Sequence, residues 1–218
     1  MKQLSLLILT IILSLGLKAQ DKNCFFKLEA ISEKEYESAF QNNYNASFVA
    51  KINDSTKIEK AFNAIAKTYN EDEKELSEGE LTTPRELTEF KAYYPTLKTY
   101  LFYIQDYHYE KACFVSSLTN KVLSPYRFRG SYGVMSKDGI WVGLERGDCD
   151  NYFQMQICKV TNENAISIIK FDYLYLDIYY EEKPSMFWAK KNTIYISTIG
   201  YDKQEKPVQN YYSIEFEY

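Results

Sequence analysis

The segment "ERGDCDN", residues 145–151, concentrates side chains that could do chemistry. Glu145, Asp148 and Asp150 supply carboxylate oxygens, the hard ligands that Ca²⁺ prefers. Their spacing differs from that of an EF-hand, whose loop needs a glycine at the sixth position and a glutamate at the twelfth. Asp and Asn also favour turns, because their side chains hydrogen-bond to nearby backbone groups. The segment predicts an acidic hairpin tip, with a calcium site or a pair of catalytic carboxylates as alternatives.

The cysteines form a second chemical group: Cys24, Cys113, Cys149 and Cys158. An even number of cysteines in an exported protein favours disulfides. Cys149 and Cys158 are predicted to lie about 20 Å apart along an extended strand, at about 3.3 Å per residue, which is too far for a disulfide. We therefore expect Cys158 to pair with Cys113 or Cys24, unless Cys113 is a free core thiol. Redox catalysis is disfavoured because the sequence has no C-x-x-C motif.

His108 is the only histidine. If "DYHYE" is extended, Asp106, His108 and Glu110 lie on one face. One imidazole and two carboxylates make a weak candidate for a metal site, because zinc sites mostly use several histidines or cysteines. The segment "DYHYE" is therefore predicted to be the polar end of a hairpin. No G-x-S-x-G motif, Walker loop or dinucleotide fingerprint is present, so we predict no cofactor, with calcium as the alternative.

The N-terminus has the pattern of a secretory signal peptide. Lys2 precedes an apolar run, and Ala19 is a small residue suited to cleavage. The run is about 14 residues long, shorter than the roughly 20 that span a bilayer, and no later segment approaches that length. We expect residues 1–19 to be removed and residues 20–218 to be exported, periplasmic or secreted, without a transmembrane segment. The ending "KAQ" resembles signal peptides of exported bacterial proteins.

The composition is acidic and rich in tyrosine. The formal net charge is −4 and becomes more negative once the signal peptide, with its two lysines, is removed. Such a chain repels phosphate backbones and shows no Lys/Arg cluster in its sequence, so we predict no nucleic-acid partner. The 21 tyrosines suit half-exposed strands and contact surfaces, because each buries a ring and keeps a polar hydroxyl.

Residues 20–95 are predicted to be mostly helical. Ser32 and Glu35 form a capping-box pair, and Thr56 and Glu59 repeat it before apolar residues at helical spacing. A third helix start is predicted in "TTPREL", with Thr83 as its cap, and Pro95 would end that helix. The intervening acidic segment "EDEKELSEGE" is predicted to be solvated.

Residues 96–218 are predicted to be mostly β. "KTYLFYIQ" and "KACFVSSL" predict a hairpin, and Gly139 predicts a tight turn between "YGVMS" and "IWVGLE". In "YFQMQICKV", Phe153, Met155 and Ile157 alternate onto one face. Because helical signals are missing here, neighbouring strands should be antiparallel.

Three segments share an order of turn, strand, polar loop and strand; they begin at Tyr93, Gly133 and Met186. "SKDGIWV" is similar to the turn that opens blades of TolB-like β-propellers, and "LTNKV" to their closing turn. Three copies cover about 120 residues, whereas a propeller needs at least about four blades. We therefore interpret the repeat as an ordinary meander.

The sequence thus predicts a single α+β domain, with short N-terminal helices packed on a mainly antiparallel β-sheet meander. The alternatives are a β-sandwich or a partial propeller-like repeat. The functional hypothesis is an exported non-catalytic binding protein of the bacterial envelope, of the inhibitor or immunity type, with a protein partner. The alternative is a carbohydrate-binding protein using exposed tyrosines and Trp141 or Trp188 as stacking platforms, or a carboxylate-dependent glycan hydrolase.

Overall fold

The computed structural model describes most of the chain beyond the predicted signal peptide. The described ranges are 25–42, 50, 54–72, 86–105, 110–123, 128–129, 132–146, 152–178 and 184–217. Within them the helices are α1 (Glu33–Gln41) and α2 (Ser55–Asp72). The strands are β1 (Phe25–Ala30), β2 (Thr88–Tyr94), β3 (Thr99–Gln105), β4 (Glu110–Ser116), β5 (Phe128–Arg129), β6 (Tyr132–Met135), β7 (Ile140–Arg146), β8 (Tyr152–Val160), β9 (Ala165–Tyr175), β10 (Ser185–Lys190), β11 (Thr193–Tyr201) and β12 (Pro207–Glu217). Neither α1 nor α2 is a long apolar segment that could cross a membrane.

The strands form three four-stranded antiparallel sheets. Sheet 1 has the order β2-β3-β4-β5, sheet 2 the order β6-β7-β8-β9, and sheet 3 the order β1-β12-β11-β10. Each of the three sequence copies contributes to three neighbouring strands of one sheet, and the fourth strand comes from outside the copy. The predicted α+β class, dominated by antiparallel β structure, is confirmed.

Sheet 2 is the middle layer of a stack. On one face, Val142 lies in a hydrophobic cluster with Ile196 of sheet 3. On the opposite face, Trp141 lies in a cluster with Phe114 of sheet 1. Helix α2 covers the outer face of sheet 1, and helix α1 covers the outer face of sheet 3. The layers therefore follow the order α1, sheet 3, sheet 2, sheet 1, α2.

Both tryptophans join neighbouring sheets. The Trp188 Nε1–H donates to the backbone oxygen of Val134 over 3.3 Å, which ties β10 to β6. The Trp141 ring meets Phe114 edge to face with 5.6 Å between ring centroids. It also lies over Gly143, where an added Cβ would come within 2.0 Å of the ring. A glycine is required there because the indole occupies the space of a side chain.

Helix α1 begins where the capping signal predicts. The Ser32 Oγ accepts a hydrogen bond from the Glu35 N–H over 3.2 Å. The Glu35 carboxylate accepts instead from the Tyr195 hydroxyl over 2.8 Å, so that side chain fastens the helix to sheet 3. Burial, together with this carboxylate acceptor, raises the pKa of Tyr195 to about 12.

Helix α2 begins one residue before the predicted cap. Its first residue is Ser55, and the Asp54 Oδ1 accepts from the Lys57 N–H over 3.3 Å. The prediction of Thr56 as cap is therefore wrong, because an aspartate, a somewhat better N-cap than threonine, stands two positions earlier. The apolar face was predicted correctly, since Ile65 is buried with Ile58 and Phe62 packed around it.

The prediction of a third helix ending at Pro95 is wrong. Thr88–Tyr94 is the strand β2, which pairs with β3. In this strand, Tyr94 packs against sheet 2 and Phe90 packs towards α2. Burial of aromatic side chains on both faces of the strand therefore overrides the local helix signal. Residue 83, the predicted cap, lies outside the described residues. Strand β1 was not predicted at all, and it pairs along its length with β12.

The strands give the stack two distinct ends. We call the first the turn end, because short connections lie there: Pro95–Lys98, Ser117–Lys121, Ser136–Gly139, Thr161–Asn164 and Lys191–Asn192. Backbone hydrogen bonds knit it, including Ala165 N–H to Leu123 O over 3.0 Å and Phe216 N–H to Asn192 O over 3.1 Å. The opposite, loop end carries the strand ends that flank residues 106–109, 147–151, 179–183 and 202–206.

Candidate functional site

The acidic segment that could do chemistry is only partly described. Glu145 belongs to β7 and is buried rather than exposed on a tip. Asp148, Cys149 and Asp150 lie outside the described residues, as do Asp106 and His108. Within the described ranges, no cluster of three or more His, Cys, Asp or Glu side chains could hold a metal ion. Calcium binding at residues 145–150 therefore stays a prediction.

The described cysteines are both free thiols. Cys113 and Cys158 are fully buried, and the predicted disulfide between them is not formed. Cys113 faces α2, whereas Cys158 faces the interface between sheets 1 and 2. They are therefore separated by the backbone of sheet 1. Burial raises the pKa of the Cys113 thiol to about 12 and also raises that of Cys158. Cys24, the other predicted partner, lies outside the described residues.

The tryptophans cannot act as stacking platforms for a sugar. Trp141 and Trp188 are 0% and 1% exposed, because both fill the space between sheets. This part of the carbohydrate hypothesis is wrong. Among the described strand residues, the exposed aromatic side chains are Tyr152, Tyr175 and Tyr201.

Two tyrosines form an exposed pair at the loop end of sheet 2. Tyr152 begins β8 and Tyr175 ends β9, and the two are direct cross-strand partners. They are 42% and 52% exposed. Their ring centroids lie 5.5 Å apart at an interplanar angle of 69°, an edge-to-face geometry that stabilises aromatic pairs by about 0.5–1.5 kcal/mol. The pair therefore presents two aromatic rings in a defined arrangement.

Sheet 3 adds exposed apolar surface at the same end. Tyr201 ends β11 and Val208 is the second residue of β12; they are 45% and 40% exposed. Of the seven large hydrophobic side chains exposed within the described residues, four thus lie at the loop end.

Hydrogen bonds to Asp177 fix the chain that follows Tyr175; we call this group of bonds the Asp177 latch. The Asp177 N–H donates to the Tyr212 hydroxyl over 3.3 Å, and the Thr198 hydroxyl donates to the Asp177 backbone oxygen over 2.6 Å. The Asn210 side-chain amide donates to the Asp177 carboxylate over 3.4 Å. Because these partners belong to β11 and β12, the latch fixes the exit of β9 onto sheet 3.

Charged groups of sheets 1 and 2 lie at the same loop end as the tyrosine pair. Burial raises the pKa of the Tyr132 hydroxyl; Arg146 opposes this rise and Glu110 adds to it. Tyr132, Arg146 and Glu110 each stand at the loop end of a strand, so their electrostatic coupling is consistent with one shared surface. The Arg146 guanidinium also lies 5.5 Å from the centroid of the Phe153 ring.

Sequence reasoning missed the tyrosine pair. With 21 tyrosines in the chain, nothing in their local sequence separates exposed rings from buried ones. The cross-strand register of β8 and β9 also contains irregularities between Phe153 and Met155 and between Ile157 and Cys158. Counting alternation along each strand therefore could not have paired Tyr152 with Tyr175.

The chain was compared with family models, curated proteins and solved structures, and none of them matches it.

Proposed function

We propose that this chain is an exported, non-catalytic binding protein of the bacterial envelope, of the inhibitor or immunity type, whose loop end contacts a partner protein. The observation that carries the proposal is the exposed Tyr152–Tyr175 pair. Tyrosine is enriched among residues that dominate binding energy, because it buries a large ring at little entropic cost and keeps a polar hydroxyl.

The surroundings of the pair suit a protein interface. A binding surface typically has an apolar or aromatic centre and a polar rim. Tyr152 and Tyr175 supply the centre, while Glu110 and Arg146 are charged groups at neighbouring strand ends. The net charge of −4 favours a basic partner, since opposite charge speeds encounter and suppresses wrong partners.

The rigid support of the pair adds to the proposal. Tyr152 and Tyr175 stand on paired strands, and the Asp177 latch follows Tyr175 after one intervening residue. Side chains already ordered before binding lose less conformational freedom when a partner closes over them. A carbohydrate ligand stays the alternative, but it has lost both tryptophans as platforms.

The test is affinity capture with tagged residues 20–218 from detergent-treated native envelope and culture fractions, under non-reducing conditions, with and without calcium. The key variant is Tyr152→Ser/Tyr175→Ser. Its matched control, Leu118→Ser/Ile166→Ser, removes two exposed apolar side chains from the turn end instead. We expect one protein to be retained near stoichiometrically by the wild type and the control, and the tyrosine variant to bind it at least about 30-fold more weakly.

Failure to retain any protein across several salt concentrations would contradict the proposal, as would equal retention by the tyrosine variant. The next step would then be a glycan-binding and hydrolysis screen. Retention that requires calcium would point to Glu145, Asp148 and Asp150, the predicted calcium ligands.

A further inference from the structure

The turn end exposes aliphatic rather than aromatic side chains. Leu118 is 62% exposed and Ile166 is 57% exposed, the largest values for any large hydrophobic residue within the described ranges. Leu118 lies in the turn after β4 of sheet 1, and Ile166 is the second residue of β9 in sheet 2. Two different sheets therefore present an aliphatic side chain at the same end.

Lysines from separate turns lie at the same end as these two residues. Lys98, Lys121 and Lys137 are exposed in three different turns, and Lys159 is half-buried on β8 directly opposite Ile166. The acidic residues in the same turns of sheets 1 and 2 are Asp138 and Glu163. This half of the end is therefore basic, although the whole chain carries a net charge of −4.

Leu118 is held on a built turn. The Ser116 Oγ accepts from the N–H of Leu118 over 3.3 Å and from the N–H of Thr119 over 3.4 Å. The Asn120 N–H donates to the Ser116 backbone oxygen over 2.9 Å, and Asn120 has a φ of 52°. These bonds order the backbone that projects the leucine.

Neighbouring turns brace this one and connect it to Ile166. The Ser117 N–H donates to the Lys98 backbone oxygen over 2.8 Å. Leu97, the residue before Lys98, lies 3.2 Å from the position of a Cβ on Gly139. The Lys159 ammonium donates to the backbone oxygen of Asp138, and Lys159 is the cross-strand partner of Ile166.

The chemistry of this surface fits a lipid bilayer better than a protein. Lysine is depleted at protein interfaces, where aromatic residues and arginine are enriched, and leucine is rare among residues that dominate their binding energy. At a membrane, by contrast, aliphatic side chains enter the boundary between headgroups and acyl chains while lysines meet lipid phosphates. We propose that the turn end binds peripherally to a bilayer containing anionic lipids, with Leu118 and Ile166 inserted and Lys98, Lys121, Lys137 and Lys159 facing the headgroups. This proposal does not depend on the function of the loop end.

The test is co-sedimentation of residues 20–218 with vesicles of phosphatidylcholine containing about 30 mol% phosphatidylglycerol, or none, at about 0.15 M salt. We expect binding to the anionic vesicles and little to pure phosphatidylcholine. Leu118→Ser/Ile166→Ser should weaken binding about tenfold, because each aliphatic group adds apolar burial. Lys98→Glu/Lys121→Glu/Lys137→Glu should weaken it about 100-fold or more, since each lysine near an anionic surface is worth about fivefold.

The matched control is Lys34→Glu/Lys60→Glu/Lys203→Glu, which changes the net charge equally on exposed positions of α1, α2 and the loop end. It should bind within about threefold of the wild type, because charges farther than a Debye length of about 8 Å are screened. Circular dichroism would verify folding, with Lys→Gln versions as milder substitutes. The proposal is overturned if anionic vesicles are not bound, if both lysine triples lose binding equally, or if the Leu118/Ile166 variant binds like the wild type.

Discussion

The turn end and the loop end close the same three meanders in different ways. At the turn end, short connections are bonded across sheets, and three turn residues adopt a positive φ: Lys98, Asn120 and Gly139. At the loop end, β8 begins and β9 and β11 finish at exposed tyrosines, and the described turn Asp202–Lys206 has a single positive φ, at Glu205. One end therefore repeats local turn chemistry, while the other is freer to carry a specific surface without disturbing the register of the sheets.

Gly139→Ala at the turn end should have the largest effect, lowering the free energy of unfolding by about 3 kcal/mol. Gly139 has a φ of +78°, and an added Cβ would lie 2.3 Å from the backbone oxygen of Val160. Gly139→Asn tolerates the φ but keeps the clash, so it should be nearly as destabilising. Urea unfolding would measure both; full rescue by asparagine would show that the close approach to Val160 is not limiting.

Gly200→Ala at the loop end should cost less, about 1.5 kcal/mol. The added Cβ would meet side-chain atoms, the Asn210 amide at 2.7 Å and the Asp177 carboxylate at 2.8 Å, and side chains can move more easily than backbone. In an Asn210→Ala background the cost should fall, which a double-mutant cycle of unfolding free energies would detect. If Gly200→Ala lowered the free energy of unfolding as much as Gly139→Ala, the two ends would not differ in rigidity at these positions.

Raising the pH above 9 should lower the free energy of unfolding, because the core between the two ends contains the buried Cys113 thiol. The Cys113 thiol has a pKa near 9 before burial and about 12 in the folded protein. Above pH 9 the unfolded chain releases a proton that the folded chain retains. Below pH 9 the protonated Cys113 thiol therefore makes its full contribution to the free energy of unfolding. Between pH 9 and pH 12 this contribution falls by about 1.4 kcal/mol per pH unit. Urea unfolding of wild type and Cys113→Ala, with reductant, from pH 8 to pH 10.5 would show converging stabilities; parallel curves would refute the assignment.

The tyrosine pair at the loop end should show a coupling free energy of about 0.5–1 kcal/mol between Tyr152 and Tyr175. The edge-to-face contact is the physical reason. Alanine substitutions, singly and together, measured by thermal or urea unfolding, give the coupling. A coupling of zero would mean that the two rings do not order each other.

Leu118→Ser at the turn end should change the unfolding free energy by less than about 0.5 kcal/mol, because the side chain is mostly exposed. Any loss of vesicle binding by this variant would then be a surface effect. Ser116→Ala, which removes the side-chain acceptor of the same turn, should destabilise more, by about 1 kcal/mol. The reverse ranking would show that Leu118 packs on the protein.

Much of the sheet architecture could be predicted from local patterns. Alternation in "YFQMQICKV" gave the bounds and buried face of β8, and Gly139 gave the β6–β7 turn. Strand β1 was missed because its local signal is weak and its partner β12 is distant in the chain, and β2 was missed because a helix-cap pattern precedes a strand that pairs with the neighbouring β3. The stacking of the sheets places Trp141 inside, which an exposed-platform hypothesis could not anticipate.

The surfaces at the two ends could not be predicted from the sequence for a related reason. Lys98, Lys121, Lys137 and Lys159 are far apart in sequence, so no basic run is visible, yet the turns bring them to one end. Tyr152 and Tyr175 likewise meet only through strand register. Convergence of single residues from several turns is a property of the fold rather than of any segment.

The pairing of β1 with β12 determines how the protein would respond to a mechanical load. Phe25 pairs with Glu217 at one extremity of that ladder, and Ala30 pairs with Tyr212 at the other. A force applied between residues 25 and 217 would therefore act on adjacent antiparallel ends and open the ladder one pair at a time, rather than shearing all its hydrogen bonds together. Under such a load, sheet 3 would therefore open progressively from the turn end, where residues 25 and 217 are paired.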